Sequence, residues 1–282
     1  MTNDNFINFK NFTKEQKKEF FETFKIVSEK NKNIIHPAAK FFNENGWVKI
    51  ENFIDENMAN FLYYYVILAA KRCNFLEQVE GKNSENLYGT FDDTQALGDY
   101  SKYGDLVFDT LLSMAVEHMN ILTNKKLVPT YSYHRLYTTG TELKRHKDRA
   151  SCEISTTLCL GYDISNIDKK MYPNFNWPMF VADKKNEKNG IPVYMKPGDM
   201  LIYRGCEIEH WREPYKGLNH AQVFLHYNDM NGENCIPFDT RPMLGLTDKY
   251  KKNNLSKNSI LNLEIDPEDV AIINQDNVNI IE

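Results

Sequence analysis

The sequence has little of what stabilises very small or secreted folds. It contains 5 cysteines in 282 residues, and none of them form a C-x-x-C pair. They are Cys73, Cys152, Cys159, Cys206 and Cys235. An odd number at this spacing fits neither a zinc finger nor a small disulfide framework, so we predict free thiols in a reducing compartment. The chain is therefore expected to be cytoplasmic.

Long runs of a single residue class are also missing. The most apolar stretch, 58–70, is too short to span a bilayer, and the polar N-terminus does not resemble a signal peptide. The net charge is −5, and no long run of Lys and Arg is present. These properties argue against nucleic acid and membrane as partners. Oligomeric state cannot be predicted from such features.

Apolar and aromatic residues are plentiful, at 41% and 13% of the chain. This composition is typical of a soluble globular protein with a substantial core. Apolar residues at helical spacing predict helices near 37–45, 56–72 and 105–122. The polar stretch 74–104 between the last two is predicted to be a lid or binding loop.

The pattern changes after Pro129, where short alternating segments follow one another with Gly, Pro, Asn and Asp turns between them. In the first segment, Tyr131, Tyr133, Arg135 and Tyr137 fall on one side. Several short strands without intervening helices predict an all-β sandwich or jelly roll. The predicted fold class is therefore α+β, mainly β, with supporting N-terminal helices.

The same patterns divide the chain into three parts. Residues 1–35 are predicted to be an N-terminal arm or helix, and residues 229–282 a C-terminal extension. The main domain is predicted to occupy 36–228, with helical support at 36–125 and the jelly-roll core at 126–228.

Three side chains in the predicted core suit a metal ion. His146 and Asp148 follow a strand and a turn at Gly140, and His210 lies on a later strand. Two neutral imidazoles and one carboxylate, with open positions opposite, suit non-haem Fe(II). Zinc is the chemical rival, because catalytic zinc also occurs with two histidines and a carboxylate. The alternative to an enzyme is a non-catalytic jelly-roll module, with a binding or structural role, that holds a structural metal.

Two segments carry a family resemblance. YSYHRLYTTGTELKRHKD and KPGDMLIYRGCEIEHWREPYKGLNHAQVFLHY resemble the metal-binding segments of the prolyl 4-hydroxylase-like Fe(II)/2-oxoglutarate-dependent oxygenases. GWVKIENFIDENMANFL resembles the strand and helix with which that domain begins. The pieces span about 37–228, and the fold that they imply is a double-stranded β-helix, which would make 36–228 an oxygenase domain.

The resemblance also implies a site. By position, His146, Asp148 and His210 would be the iron ligands at the catalytic centre, and Tyr137 would hydrogen-bond the co-substrate. The implied cofactor is Fe(II), with 2-oxoglutarate and O₂ as co-substrates, and ascorbate is compatible with this chemistry. The implied reaction is hydroxylation of a C–H bond of a peptide or protein side chain, with release of succinate and CO₂.

The chain departs from the family at one position. Family members place Lys or Arg about ten residues beyond the distal histidine to pair the far carboxylate of the co-substrate, whereas this chain has His220. An unpaired buried carboxylate is costly. Arg212 is the preferred substitute, because it shares the face of His210 and binds carboxylates bidentately. Arg135 and His220 are the other candidates.

The substrate is less well defined by sequence. A free amino acid or another small metabolite is the alternative to a peptide or protein side chain. The candidate substrate contacts are Tyr133, Tyr100 and Trp211, which are aromatic residues close to the predicted metal site.

Overall fold

The computed structural model describes residues 35–82, 86–168, 175–182, 188–233 and 235–252, together with positions 15 and 170. The predicted arm at 1–35 lies outside the described residues except for Glu15 and Ile35. The predicted extension at 229–282 is described as far as Lys252, with position 234 left out.

Within the described residues four helices lie before the main strands, where the sequence predicted three. They are α1 (Pro37–Asn45), α2 (Glu56–Glu80), α3 (Leu106–Met114) and α4 (Val116–Thr123). The Asp55 carboxylate caps α2 by accepting a hydrogen bond from the Met58 backbone N–H at 2.9 Å. Proline at the first position and a left-handed Gly46 after the last position bound α1.

Two helix boundaries differ from the prediction. Helix α2 continues past 72 to Glu80, because no Gly or Pro interrupts the good helix formers before Gly81. The stretch predicted as one helix at 105–122 is two helices that meet at Ala115. The loop predicted at 74–104 is therefore shorter, and it ends in a strand.

In the part of the chain that the structure describes, ten strands form two antiparallel sheets. They are β1 (Trp47–Ile50), β2 (Tyr100–Tyr103), β3 (Leu127–Thr138), β4 (Leu143–His146), β5 (Ile154–Asp163), β6 (Met179–Val181), β7 (Ile191–Val193), β8 (Met200–Arg204), β9 (His210–Arg212) and β10 (Asn219–Asp229). The larger sheet has the order β1-β8-β5-β10-β3-β2, and the smaller one has the order β4-β9-β6-β7. This double-stranded β-helix confirms the predicted fold class.

The two faces of the larger sheet pack against different partners. Leu158, Leu160, Ile202 and Val223 belong to the main apolar core, which also contains buried residues of the helices such as Leu112. The alternate residues of β3 point to the space between the two sheets, as the period of two requires. The helices thus cover the outer face of the larger sheet and leave its inner face to the site.

The described part of the C-terminal extension packs against this domain. The Arg241 guanidinium is buried and donates to the Asp109 carboxylate at 2.9 Å and to the Thr130 carbonyl at 3.0 Å. Leu246 lies directly over Gly104, where a Cβ atom would collide with its carbonyl oxygen. The predicted domain boundary at 228 stays a prediction, but 235–252 contact β3 and α3 closely.

None of the described helices is both long and apolar enough to cross a bilayer. The five cysteines all lie among the described residues and are free thiols.

Substitution of Gly104 tests the packing of the C-terminal segment. Gly104 and Gly140 both have left-handed backbones, with φ of 64° and 91°, so alanine costs about 1–2 kcal/mol at either position. Gly140 faces open space, whereas Gly104 faces Leu246 and Arg241. We expect Gly104→Ala to lower the free energy of unfolding in urea by clearly more than Gly140→Ala. Equal losses would contradict the seating of 241–246 on Gly104.

Candidate metal centre

The pairing of β4 with β9 brings the two predicted histidines together. His146 ends β4 and His210 begins β9, and the two residues are direct partners across the strands. Asp148 lies just beyond β4, where its backbone N–H donates to the Gly205 carbonyl at 2.9 Å. Asp148 Oδ1 is 3.6 Å from His146 Nε2 and 3.4 Å from His210 Nε2. The ligand atoms of all three side chains lie within 4.8 Å of one another.

Backbone carbonyls orient both imidazole rings. His146 Nδ1 is 2.7 Å from the Lys144 carbonyl oxygen, and His210 Nδ1 is 3.0 Å from the Ile208 carbonyl oxygen. A carbonyl only accepts, so each Nδ1 carries the proton and each Nε2 presents its lone pair to the centre. This arrangement is the one by which proteins fix the tautomer of metal-binding histidines.

The carboxylate of Asp148 is held from behind. Its Oδ2 accepts from the Ser155 hydroxyl at 2.7 Å, and Ser155 Oγ is 3.0 Å from His226 Nδ1. Burial lowers the pKa of His226 to about 4, so this ring is neutral and donates to Ser155. A Cβ atom at position 205 would collide with the Asp148 carboxylate, which explains why glycine is required there.

The electrostatics favour a bound cation. Burial raises the pKa of Asp148, but its contacts with His210, His226 and Ser155 outweigh burial and leave the pKa far below its usual range, so the carboxylate is ionised. Burial and the neighbouring His210 lower the pKa of His146, so its imidazole is neutral near pH 7. One carboxylate and two imidazoles whose Nε2 atoms face the centre, all on one side of a cavity, fit a six-coordinate divalent ion, with metal–ligand distances of about 2.0–2.2 Å.

A cavity of about 370 Å³ opens beside these side chains. Its walls are polar and aromatic, and they include Asp93, Gln95, Tyr131, Tyr133, Arg135, Tyr137, Leu143, Lys147, Arg149, Cys152, Tyr203, Phe224 and His226. Asp93 and Gln95 belong to the loop that we expected to act as a lid. The four alternating residues of β3 all line this cavity.

Several of the lining residues were not predicted from the sequence. Cys152 and His226 form a second possible ligand group with Asp148, again within 4.8 Å of one another. His226 lies on β10 two positions from the cavity residue Phe224, so strand alternation could have identified it. Cys152, Arg149 and Asp93 lie on turns and loops, where no periodic pattern points to the site.

The residues that could bind the far carboxylate of the co-substrate differ in how their own charge is balanced. Arg135 is buried and pairs with the Asp93 carboxylate, while its Nη1 is 3.3 Å from the Tyr137 hydroxyl. Arg212 is only 1% exposed, and among the described residues its guanidinium makes one hydrogen bond, from Nη1 to the Trp177 carbonyl at 3.0 Å. Nε and Nη2 of Arg212 have no hydrogen-bond partner, and no carboxylate among the described residues forms an ion pair with it.

His220, the third candidate, lies in an aromatic environment. Its ring stacks on Tyr162 and meets the edge of Trp177, with ring centroids 5.2 Å apart in both cases. Its Nδ1 is 3.2 Å from the Gln222 amide nitrogen, so it acts as an acceptor. Burial, followed by the charge of Arg212, lowers the pKa of His220 well below its usual value. His220 is therefore neutral and cannot pair with a carboxylate as a cation.

Of the three candidate substrate contacts, only Tyr133 lines the cavity. The expectation for Tyr100 is corrected: it lies in the core on the helix side of the larger sheet, and its hydroxyl donates to the Tyr88 carbonyl at 2.9 Å. Trp211 is also corrected. It alternates with His210 on β9, points away from the cavity and stacks on Phe180 at a centroid distance of 5.4 Å.

No protein-family model and no curated protein matches the sequence. Solved structures do match. EctD from S. alaskensis, with 2-oxoglutarate and 5-hydroxyectoine, is 14% identical with a TM-score of 0.51, over 73% of this chain and 79% of that one. The non-heme alpha-ketoglutarate-dependent carbocyclase SnoK from nogalamycin biosynthesis is 12% identical with a TM-score of 0.51, over 80% and 92%. A Pseudomonas putida prolyl-4-hydroxylase is 15% identical with a TM-score of 0.46, over 69% and 98%.

The first two likenesses establish the fold of the chain. It is a double-stranded β-helix like that of these two proteins, and this is the fold that the resemblance of the sequence implied.

Removal of the Ser155 hydroxyl tests the support of Asp148. Ser155→Ala is expected to weaken binding of Co²⁺ by about tenfold or more, because a ligand that loses its supporting hydrogen bond is less well oriented. Ser132→Ala is a matched control: this buried hydroxyl also donates to a carboxylate, that of Asp109 at 2.6 Å, but outside the cavity. Calorimetric titration of both variants measures the affinity. An unchanged affinity in Ser155→Ala would argue against Asp148 as a ligand.

Proposed function

We propose that the protein is an oxidoreductase, an Fe(II)- and 2-oxoglutarate-dependent dioxygenase that hydroxylates a substrate C–H bond. The observation that carries this proposal is the triad of His146, Asp148 and His210 at a cavity, with the unpaired Arg212 behind it. The shared fold supports it, because EctD was solved with 2-oxoglutarate and SnoK is described as alpha-ketoglutarate dependent.

The three ligands would hold the iron from one side and leave the cavity side open. When bound, Fe(II) with 2-oxoglutarate and O₂ supplies the oxidising chemistry, with succinate and CO₂ as by-products and ascorbate as an auxiliary reductant. The protein orients the ligands through the carbonyls of Lys144 and Ile208 and through Ser155. These contacts keep both Nε2 atoms deprotonated and the carboxylate ionised, which is the state in which they bind a metal.

Arg212 is the residue that we assign to the far carboxylate of 2-oxoglutarate. A buried cation without a neighbouring anion is strongly disfavoured. A ligand that supplies this anion therefore binds with a large gain in free energy. Its free Nε and Nη2 present two adjacent donors, the geometry that guanidinium offers to a carboxylate. Burial lowers the pKa of Arg212, and the cavity residues Tyr137 and Tyr203 are among its neighbours.

The other two candidates, Arg135 and His220, are less suited to bind the far carboxylate. The charge of Arg135 is already balanced by Asp93, and His220 is neutral. We assign Tyr137 as a hydrogen-bond donor to the co-substrate, since it lies between Arg135 and the buried Trp177 with its hydroxyl at the cavity.

The walls and the covering loop would exclude water from the reaction. Ala96 of the loop is 4% exposed and packs in one cluster with Tyr137, Trp177 and Phe224. Such closure protects a reactive oxidant from solvent. The substrate that we propose is a peptide or protein side chain, which Tyr133 would contact at the cavity. A free amino acid or small metabolite is the alternative, supported by the 5-hydroxyectoine in the EctD structure.

The first test is spectroscopic. Anaerobic addition of Fe(II) and 2-oxoglutarate to the apoprotein is expected to produce the weak visible charge-transfer absorption of a chelated complex, and admission of air should produce succinate. Asp148→Ala should lose the absorption while its circular dichroism stays native, because only a ligand is removed. Absence of both absorption and succinate in the wild-type protein would favour the binding-module alternative.

The second test concerns Arg212. Arg212→Met should leave the ligand-free protein as stable as the wild type or more so, since it replaces an unpaired buried cation by an apolar side chain. Its dissociation constant for 2-oxoglutarate should rise about 100-fold, the equivalent of about 3 kcal/mol for a lost buried ion pair. Binding of 2-oxobutyrate, which lacks the far carboxylate, should not change. Equal weakening of both oxo acids would rule out the assignment.

A further inference from the structure

A second cluster of charges surrounds Asp239, on the C-terminal segment outside the predicted domain. Asp239 is 3% exposed, and both of its carboxylate oxygens accept from Arg149, at 2.7 Å from Nη1 and 2.6 Å from Nη2. The hydroxyls of Ser151 and Tyr103 donate to it at 2.5 Å and 2.7 Å. Lys251 completes the cluster at 2.8 Å.

The backbone that carries this carboxylate is strained. Phe238, Asp239 and Thr240 have φ values of 54°, 55° and 67°. This is a left-handed backbone conformation that residues other than glycine seldom adopt. Three consecutive residues of this kind persist only where surrounding contacts hold them. Backbone strain of this type is concentrated at functional sites, where it places a side chain that an ordinary turn would misplace.

Two of the four partners of Asp239, Arg149 and Ser151, belong to the turn that carries the third proposed metal ligand. Arg149 directly follows Asp148, and its guanidinium lies 4.6 Å from the centre of the Tyr131 ring in the cavity wall. Ser151 lies in the short 3₁₀ turn Ala150–Cys152, whose carbonyl at position 151 accepts from the Thr130 hydroxyl at 2.7 Å. Asp239 therefore binds the turn at two residues, Arg149 and Ser151, which closely follow Asp148.

We propose that Asp239 is a positioning residue for the metal centre. By binding Arg149 and Ser151 it fixes the turn after Asp148, so that residues 235–252 complete the site of the domain on which they pack. This inference rests on the proposed function, in which His146, Asp148 and His210 hold the metal. The ligand set itself is unaffected when Asp239 is removed, but the orientation of the Asp148 carboxylate becomes less fixed.

Asp105 provides a matched control, because it is a carboxylate of the same kind in a different place. It is 2% exposed and accepts from the Tyr65 hydroxyl at 2.8 Å and from Lys102 at 2.8 Å. It caps α3 from the other side of the larger sheet and does not line the cavity. Loss of either carboxylate should destabilise the fold, but only loss of Asp239 should alter the metal centre.

The experiment compares the full-length wild type, Asp239→Asn and Asp105→Asn. Co²⁺ is titrated into each apoprotein, with affinity taken from calorimetry, coordination from the visible d–d spectrum, and the melting temperature recorded in parallel. Asp239→Asn is expected to raise the dissociation constant for Co²⁺ about tenfold or more and to alter the spectrum. Asp105→Asn should lower the melting temperature and leave both metal readouts as in the wild type.

The outcomes separate this inference from the proposed function. If the wild type binds Co²⁺ and Asp239→Asn binds it with the same affinity and spectrum, the positioning role is wrong and the metal site stands. If Asp105→Asn weakens binding as much as Asp239→Asn, the effect is one of general stability and the inference is also wrong. A wild type that binds no divalent metal overturns both proposals.

Discussion

The pairing of β4 with β9 is the interaction on which the site depends. These strands have only four and three residues, and they set His146 directly opposite His210. Two strands of this length are not stable alone, so the larger sheet and the helices that cover it must hold them in register. The candidate metal centre is therefore a product of the whole double-stranded β-helix, although its three side chains come from two short strands and the turn between β4 and β5.

The second constraint is the balance of buried charge. Arg135, Arg149 and Arg241 each meet a carboxylate, from Asp93, Asp239 and Asp109 respectively. Arg212 has no such partner among the residues that the structure describes, although it is only 1% exposed. A buried charge is normally paired, and Arg212 neighbours Tyr137 and Tyr203 of the cavity wall, which is why we propose that an anionic co-substrate supplies the missing charge. The proposed site thus combines a negatively charged ligand set for a metal ion with one buried guanidinium for the co-substrate carboxylate.

Strand alternation in the sequence predicts many of the residues of this site. The four alternating residues from Tyr131 to Tyr137 line the cavity together, and Arg212 lies on the face of His210 as its spacing of two implied. The same rule places Trp211 on the opposite face, so the alternation itself argues against Trp211 as a substrate contact. Tyr100 could not be placed in this way, because the face that it occupies depends on which side of the larger sheet the helices cover.

The sequence by itself determined the kinds of ligand, the order of helices before strands and the faces of the strands, because these follow from local spacing of two or 3.6 residues. Only the tertiary structure decided which cations are already neutralised. Asp93 reaches Arg135 across 42 positions of the chain, and Asp239 reaches Arg149 across 90. Contacts of this kind depend on the path of loops and turns, which carry no periodic signal, and on a strained backbone that local preference alone would not select.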